Sequence, residues 1–371
     1  MTKVLALTRY TQAGPSSRYR FYNFQEPFRE AGVEMEIKPL FGDDYLSDNG
    51  FAGVLAVLRG YLSRFLRVAR LWWNRGNGYD AILIEYELFP YVPAWFEALL
   101  HRRGVRYLVD YDDAIFHRYD RHRNPLIRAL LGGKIAEVMT WADRVIVCNP
   151  YLEEYARRHN ASTVRIPTVV PLGRYTKGLS RYRRPEEGTF VVGWIGSGST
   201  SPYVLPILPV IERLVRKYPS LRLHLVGFDA SLLTTEDRRR CKIEVIPWRE
   251  DEEIERILRF DVGVMPLPDT PWSRGKCGFK LIQYMACSKP LVASPVGINC
   301  KLVEAGVNGF LALHPQEWEE SLERLIRDAD LRRSMGRAGR AKVEMYYNDT
   351  DICRYLARTI RESAERGDSP E

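Results

Sequence analysis

Residues 271–297 read "PWSRGKCGFKLIQYMACSKPLVASPVG". Within them "GFKLIQYMA" carries Phe279, Ile282, Tyr284, Met285 and Ala286 at helical spacing. It runs into "PLVASP", a short uncharged run of the kind a fully buried strand shows. Helix into buried strand is half of a parallel βαβ unit. Three cations, Arg274, Lys276 and Lys280, stand within seven positions at the mouth of this helix. Lys276 and Lys280 are four apart and share a face if the helix starts early. Cations at a helix start oppose the macrodipole, and that misfit favours an anion site over a solvated helix end. Gln283, one turn beyond Lys280, adds a hydrogen-bonding side chain, so one ligand with a diphosphate and a ribose can span both.

Outward from this stretch the same rhythm repeats. "KVLAL", "AILIEYE", "VRYLVDY" and "RVIVC" read as buried strands in the first half, and "TFVVGWIG", "LRLHLVG" and "DVGVMPL" in the second. Amphipathic helical patterns lie between them, as at residues 202–218 and 316–327. The alternation predicts α/β architecture: two doubly wound parallel-sheet, Rossmann-like domains. The polar, Arg-rich segment 174–188 reads as the linker. This gives an N-terminal domain at 1–173 and a C-terminal domain at 189–345. Residues 346–371 follow as a helix and a frayed tail, "GDSPE".

The chain has 371 residues, 45% hydrophobic and 27% charged, with a net charge of +8. That suits two folded domains with an anionic partner. Nucleic acid is a weak choice of partner, since no reader motif is present. The six cysteines form no C-x-x-C pair and no zinc-like Cys/His spacing, which fits a reducing, cytoplasmic compartment and no metal. The N-terminal apolar run is far shorter than a signal peptide needs. No stretch reaches the roughly 18 consecutive apolar residues of a spanning helix.

Three further places carry candidate chemistry. After the first strand, Gly14 permits close backbone approach, with Ser16, Ser17, Arg18 and Arg20 at a helix start. The plainer reading is an N-cap by Ser16 or Ser17 with solvated arginines. In "VRYLVDYDDAIFH", Asp110, Asp112 and Asp113 stand at the carboxyl end of a strand, where open α/β sheets place ligands. Asp113 also fits a helix cap, whereas Asp112 reads as functional. Gly193, Gly196 and Gly198 in "VVGWIGSGST" give G-x-x-G-x-G rather than the dinucleotide fingerprint, yet a strand, a Gly/Ser loop with Ser197 and a helix still aim N–H groups at phosphate.

Residues 51–75, "FAGVLAVLRGYLSRFLRVARLWWNR", contain no acid. On a helical wheel Arg59, Arg64, Arg67, Arg70 and Arg75 share one half. Leu55, Leu58, Leu62, Phe65, Leu66, Ala69, Trp72 and Trp73 share the other, and Leu71 is out of place. An anionic membrane surface would meet Arg64, Arg67, Arg70, Trp72 and Trp73. The alternative is a helix packed on the domain core with a solvated Arg face.

The second half resembles the donor-binding domain of family 4 (group 1) glycosyltransferases of GT-B fold. "GFKLIQYMACSKPLVASPVG", "KLVEAGVNGFL" and "VVGWIGSGST" carry the resemblance. The first half is similar more loosely, through the Gly14 loop and the strand-end acids. The resemblance implies two domains facing a central cleft, with the C-terminal helix crossing back to the first. It also implies anomeric retention without a metal. This sequence departs from the family's E-x7-E pair: the first Glu falls on Gly275 and the second, a ribose ligand, on Gln283. The family's Arg and Lys after the Gly loop have no counterpart at 197–201, so Lys280, with Lys276 or Arg274, would hold the diphosphate. The family's strand-end His aligns with Asp112.

The expectation is therefore a nucleotide-sugar co-substrate bound by Gly196, Ser197, Arg274, Gly275, Lys276 and Gln283, with Lys280 and Asp112 catalytic. A glycan or lipid-linked acceptor, in cell-surface polysaccharide synthesis, would meet Gly14, Ser17, Arg18, Arg20 and Asp113. The protein would be cytoplasmic, at the inner face of the membrane. A nucleotide-sugar epimerase on the same fold and a binding protein without turnover are the competing readings.

Overall fold

A computed structural model describes residues 1–42, 51–76, 78–182 and 188–365. The chain divides into two compact units: residues 1–169, 275–277 and 349–371, and residues 170–274 and 278–348. The expected tail at 367–371 lies outside the described residues, as do 183–187 of the expected linker.

The first unit is built on β1 (Thr2–Thr8), β2 (Val33–Pro39), β3 (Ala81–Glu85), β4 (Tyr107–Tyr111), β5 (Arg144–Val147) and β6 (Thr163–Arg165). They form one six-stranded sheet in the order β2-β1-β3-β4-β5-β6. Every pairing is parallel, with Val4 opposite Ala81 and Glu85 opposite Asp110. β3 and β4 are buried at every position, as their unbroken apolar runs require. The strand order reverses at β1, so the carboxyl ends of β1, β3 and β4 open on the crevice where such sheets bind ligands. The C-terminal helix Asp349–Glu365 belongs to this unit, where Arg106 donates to the Ser363 carbonyl at 3.0 Å.

The second unit contains β7 (Phe190–Ile195), β8 (Leu221–Val226), β9 (Ile243–Ile246), β10 (Val262–Met265), β11 (Leu291–Ala293) and β12 (Gly309–Leu311). Again the sheet is parallel, in the order β12-β11-β10-β7-β8-β9, reversing at β7. Residues 174–181 of the expected linker are instead part of a helix, Leu172–Arg181, which belongs to this unit. Tyr175 is buried, and a Cβ on Gly178 would come within 2.6 Å of Ile254. Its small residue and aromatic anchor pack this polar segment down, so the composition alone misleads.

The arginine-rich segment forms the Phe51–Trp73 helix, and it packs the opposite way round from an ordinary amphipathic helix. Its buried side carries Val68, Leu71 and Arg64, the last only 2% exposed. A Cβ on Gly60 would sit 2.2 Å from the Leu40 carbonyl oxygen, so glycine sets the closeness of approach. Arg64 donates to the carbonyls of Thr8 (2.7 Å) and Lys38 (3.0 Å) at the ends of β1 and β2. Arg64 is therefore not a lipid-facing cation, and Leu71 is not out of place: both anchor the helix. Leu58 and Leu62 are each 60% exposed.

Candidate functional site

In the second unit Gly196 and Ser197 follow directly on the carboxyl end of β7, and of the predicted residues on the later helices only Lys280 reaches them. The helix Phe279–Ala286 begins after Gly278, whose φ is +71°. That start leaves Lys276 off the helix, so it does not share a face with Lys280. Lys280 lies in the first turn and reaches back across the Gly loop. Its Nζ is 3.4 Å from Thr200 Oγ1 and 5.1 Å from the centroid of the Trp194 ring. Gly196 makes this possible: a Cβ there would meet the Trp194 ring at 2.4 Å and Lys280 Cε at 2.8 Å. The loop is held by its own hydroxyls. Thr200 donates to the Ser197 carbonyl at 3.0 Å, and Ser197 and Ser199 hydroxyls lie 3.0 Å apart. Gly193, by contrast, is a packing glycine, since a Cβ there would strike the Phe260 ring.

Gln283 is 3% exposed, and its amide donates to the Tyr175 hydroxyl at 3.1 Å. Tyr175 in turn lies 3.4 Å from buried Glu253, which also accepts from Trp248 Nε1 at 3.0 Å. Sequence reasoning missed this relay, because Tyr175 sits in the stretch read as linker. Arg274, on a short helix Pro271–Arg274, is engaged by both carboxylate oxygens of Asp269, at 2.6 and 2.9 Å.

Residues 275–277 pack with the first unit. The amide of Asn149 donates to the carbonyls of Gly275 (2.8 Å) and Lys276 (3.0 Å). A Cβ on Gly275 would lie 2.3 Å from Ala114 Cβ and 3.0 Å from its backbone nitrogen. No carboxylate can stand at position 275 without moving Ala114. Lys276 Nζ lies 3.5 Å from Asp113, and Asp113 is not a helix cap, since the following helix His117–Asp120 has Phe116 at its N-cap and no side-chain cap bond.

At the crevice of the first unit the three strand-end acids have different partners. Asp110 takes a bidentate pair of bonds from Arg20, through Nε at 2.8 Å and through Nη2. Arg20 Nη1 also donates to the carbonyls of Ile166 and Pro167. Arg18 donates to the carbonyls of Gln12 and Ala13. Both arginines are buried and serve the protein itself, so neither is a solvated or acceptor-facing cation. The helix Pro15–Arg20 has Gly14 as its N-cap with no side-chain cap bond. Gly14 is needed for space, because a Cβ would meet Tyr10 at 2.5 Å.

Asp112 is bonded by the Tyr86 hydroxyl and by Ser16. Burial, with the charge of Asp113, raises its pKa to about 6 against the pull of those bonds and of Arg20. Tyr86 itself adopts φ +66°, a strained conformation for a bulky residue and one that clusters at functional sites. Beside it, Ser17 donates to Glu85 at 2.7 Å rather than capping a helix. Burial lifts Glu85 to about 8. Glu87 accepts from Lys134 and Tyr119, with Arg9 Nη1 at 3.6 Å. The acids of "AILIEYE" were not singled out in the sequence, although the strand-end rule applied to Asp112 reaches them equally. Among the described residues no group of three or more His, Cys, Asp or Glu is set to hold a metal ion.

Two family models match this chain: "Glycosyl transferase 4-like domain" over residues 4–173 and "Glycosyl transferases group 1" over residues 190–328. The chain belongs to the group 1 glycosyltransferases. Its sheets are those of the GT-B fold, and solved glycosyltransferases of that fold match it along nearly its whole length. A sucrose-phosphate synthase from Thermosynechococcus elongatus is 17% identical, with a TM-score of 0.73, covering 99% of this chain and all of that one. The Anabaena protein Alr3699/HepE, solved in complex with UDP-glucose, is 17% identical with a TM-score of 0.66, covering 98% and 100%. A D-inositol 3-phosphate glycosyltransferase from Corynebacterium jeikeium (strain K411) is 26% identical over 227 residues, 54% of this glycosyltransferase. The match spans about half the length of that curated relative.

Proposed function

We propose that this glycosyltransferase takes a sugar from a nucleotide-activated donor, with retention of anomeric configuration. It adds the sugar to a glycan or lipid-linked acceptor in the making of cell-surface polysaccharide or glycoconjugate. The carrying observation is the placement of Lys280 across the Gly196–Thr200 loop, in space that only a glycine leaves. A diphosphate lying on that loop would meet a compact cation and backbone N–H groups together. The fold shared with a protein solved with UDP-glucose supports the choice of donor.

In this reading the bond from C1 to the nucleoside diphosphate breaks, and Lys280 with the loop stabilises the departing charge without a metal. The acceptor hydroxyl bonds to C1 on the same face, and its proton passes to Asp112. A carboxylate with a pKa near 6 is ionised at neutral pH yet basic enough to take a proton as it develops. Gln283 acts through Tyr175, holding the helix that carries Lys280. The enzyme works in the cytoplasm, and a lipid-linked acceptor reaches it at the inner membrane surface. One observation favours a second reading, a binding protein without turnover: Ala114 fills the space a carboxylate at position 275 would need.

Thermal-shift screening against UDP-, GDP-, dTDP- and ADP-sugars tests the donor. One of them should raise the melting temperature, by the equivalent of about 2.7 kcal/mol at a hundredfold excess over Kd. Lys280→Ala should abolish that shift and leave the apo melting temperature nearly unchanged. Stabilisation by none of the four would overturn the reading. Hydrolysis of the bound donor, or its absence, separates turnover from binding alone.

A further inference from the structure

The Phe51–Trp73 helix leaves a continuous apolar face in water. Leu55, Leu58, Leu62, Phe65, Leu66 and Trp73 are all exposed, the last to 74%. Their spacing of three, four, three, one and seven residues keeps them on one side of a helix, at about 100° per residue. From Leu55 to Trp73 the stripe runs about 27 Å at 1.5 Å per residue. The opposite side is the one that packs, through Gly60, Arg64, Val68 and Leu71. The face also continues onto the neighbouring helix Trp95–Arg102: Phe65 meets Phe96 edge-on at 5.9 Å, and Trp95 and Leu99 are exposed. Soluble monomers seldom leave so large a contiguous apolar patch uncovered, and such patches mark interaction surfaces.

We infer that this face docks the enzyme onto an anionic lipid bilayer, the helix lying in the plane of the headgroups. Charge selects that occupant. Residues 51–75 hold no acid, and the exposed Arg59 and Arg70 fall on one flank of the stripe. Guanidinium groups there reach lipid phosphates while the leucines and Trp73 enter the acyl boundary. A second copy of the chain fits worse. Stripe-to-stripe pairing brings the cations of one helix towards those of the other, with no acid on either to answer them. No helix among the described residues is long and apolar enough to cross a membrane, so the contact is interfacial. Trp72 contributes less than Trp73. It is half-buried, with its carbonyl accepting from Arg103 at 3.2 Å and that guanidinium 5.2 Å from its ring. This deepens the proposed use of a lipid-linked acceptor and rests on that reading only for its purpose, since the docking stands on the helix itself.

The test is co-sedimentation of the full chain with vesicles of roughly two parts phosphatidylcholine to one part phosphatidylglycerol, with no donor or acceptor present. Wild type should bind, with a blue shift in tryptophan emission. Leu58→Gln with Leu62→Gln should lower the partition coefficient about a hundredfold. Arg59→Gln with Arg70→Gln should lower it roughly 30-fold on these vesicles and little on pure phosphatidylcholine. All four side chains are exposed, so melting should hold in both variants. Wild type left in the supernatant, or a leucine variant that binds as wild type does, overturns the inference. So does a wild-type dimer in lipid-free buffer that the leucine variant converts to monomer, which would make this face a protein interface. Because no sugar nucleotide is present, failure of the donor reading leaves these results standing, and failure here leaves the donor-induced thermal shift intact.

Discussion

Glu85 offers a sharp test of how the crevice of the first unit is charged. It ends β3 and is buried. One carboxyl oxygen, Oε2, accepts from the Arg9 backbone N–H at 2.7 Å and from the Ser17 hydroxyl at 2.7 Å. The other, Oε1, is buried without a hydrogen-bond partner. Burial outweighs those two bonds, and the charge of Asp112 adds to it, so the pKa rises from 4.5 to about 8. The native state then holds a proton that the unfolded chain gives up near pH 4.5. Stability from this group is complete below pH 4.5 and is lost as pH rises through about 8, a total on the order of 5 kcal/mol. Glu85→Gln removes the titration. Its amide oxygen can keep both bonds, while its NH2 stands where the protonated oxygen was. At pH 5 the variant should match wild type within about 1 kcal/mol, and at pH 9 it should be the more stable by a few kcal/mol. Because the chain has two units, the readout must be local: amide hydrogen exchange in β1 and β3, followed from pH 5 to 9. A difference between variant and wild type that stays flat over that range refutes the reasoning. So does a variant weaker than wild type at pH 9. Either result would mean that Glu85 is ionised at neutral pH and held so by Arg9.

Asp112, with its pKa near 6, should give transferase activity an acid limb near that pH, and Asp112→Asn should lower kcat about a hundredfold or more while preserving the fold. A pH–rate profile on both proteins checks this. Gly275→Ala should destabilise the first unit by about 1–3 kcal/mol, since its Cβ meets Ala114 at 2.3 Å; urea melts followed by exchange at Ala114 measure it. Arg20→Gln should cost about 3–5 kcal/mol because it strands buried Asp110, and donor binding in the second unit should survive it; melting and donor-induced thermal shift together separate the two effects.

The strands that could be read from the sequence and those that could not divide along a physical line. β1, β3, β4 and β5, and β7, β8, β10 and β11, are the inner strands of their sheets, paired on both sides. Most are covered on both faces too, so their residues form the unbroken apolar runs that periodicity detects. The four that escaped, β2, β6, β9 and β12, are the four edges. β2 alternates buried and exposed positions at its start, β9 is buried only at its end, and β6 and β12 are three residues long. An edge strand needs neither length nor full burial, so its sequence resembles a loop.

The cations follow a similar logic. The carboxyl ends of parallel strands present carbonyls and, here, acids, so a cation arriving there can serve either the protein or a ligand. Arg20 and Arg64 serve the protein: one pairs with an acid 90 residues away, the other with a carbonyl 56 residues away. Neither separation is visible as a local pattern, and both residues looked like solvated or ligand-facing charge. What marks Lys280 is not its charge but the room made for it. The Trp194 ring and the lysine stem both press on Gly196, where any side chain would strike one or the other. A lysine with only a solvated end to fill could sit anywhere along the helix. One threaded between an aromatic ring and a bare glycine has its ammonium fixed beside the backbone of the loop. Under the proposed function that pairing of cation and loop would receive the donor's diphosphate, and it can be read only when two segments 80 residues apart are seen together.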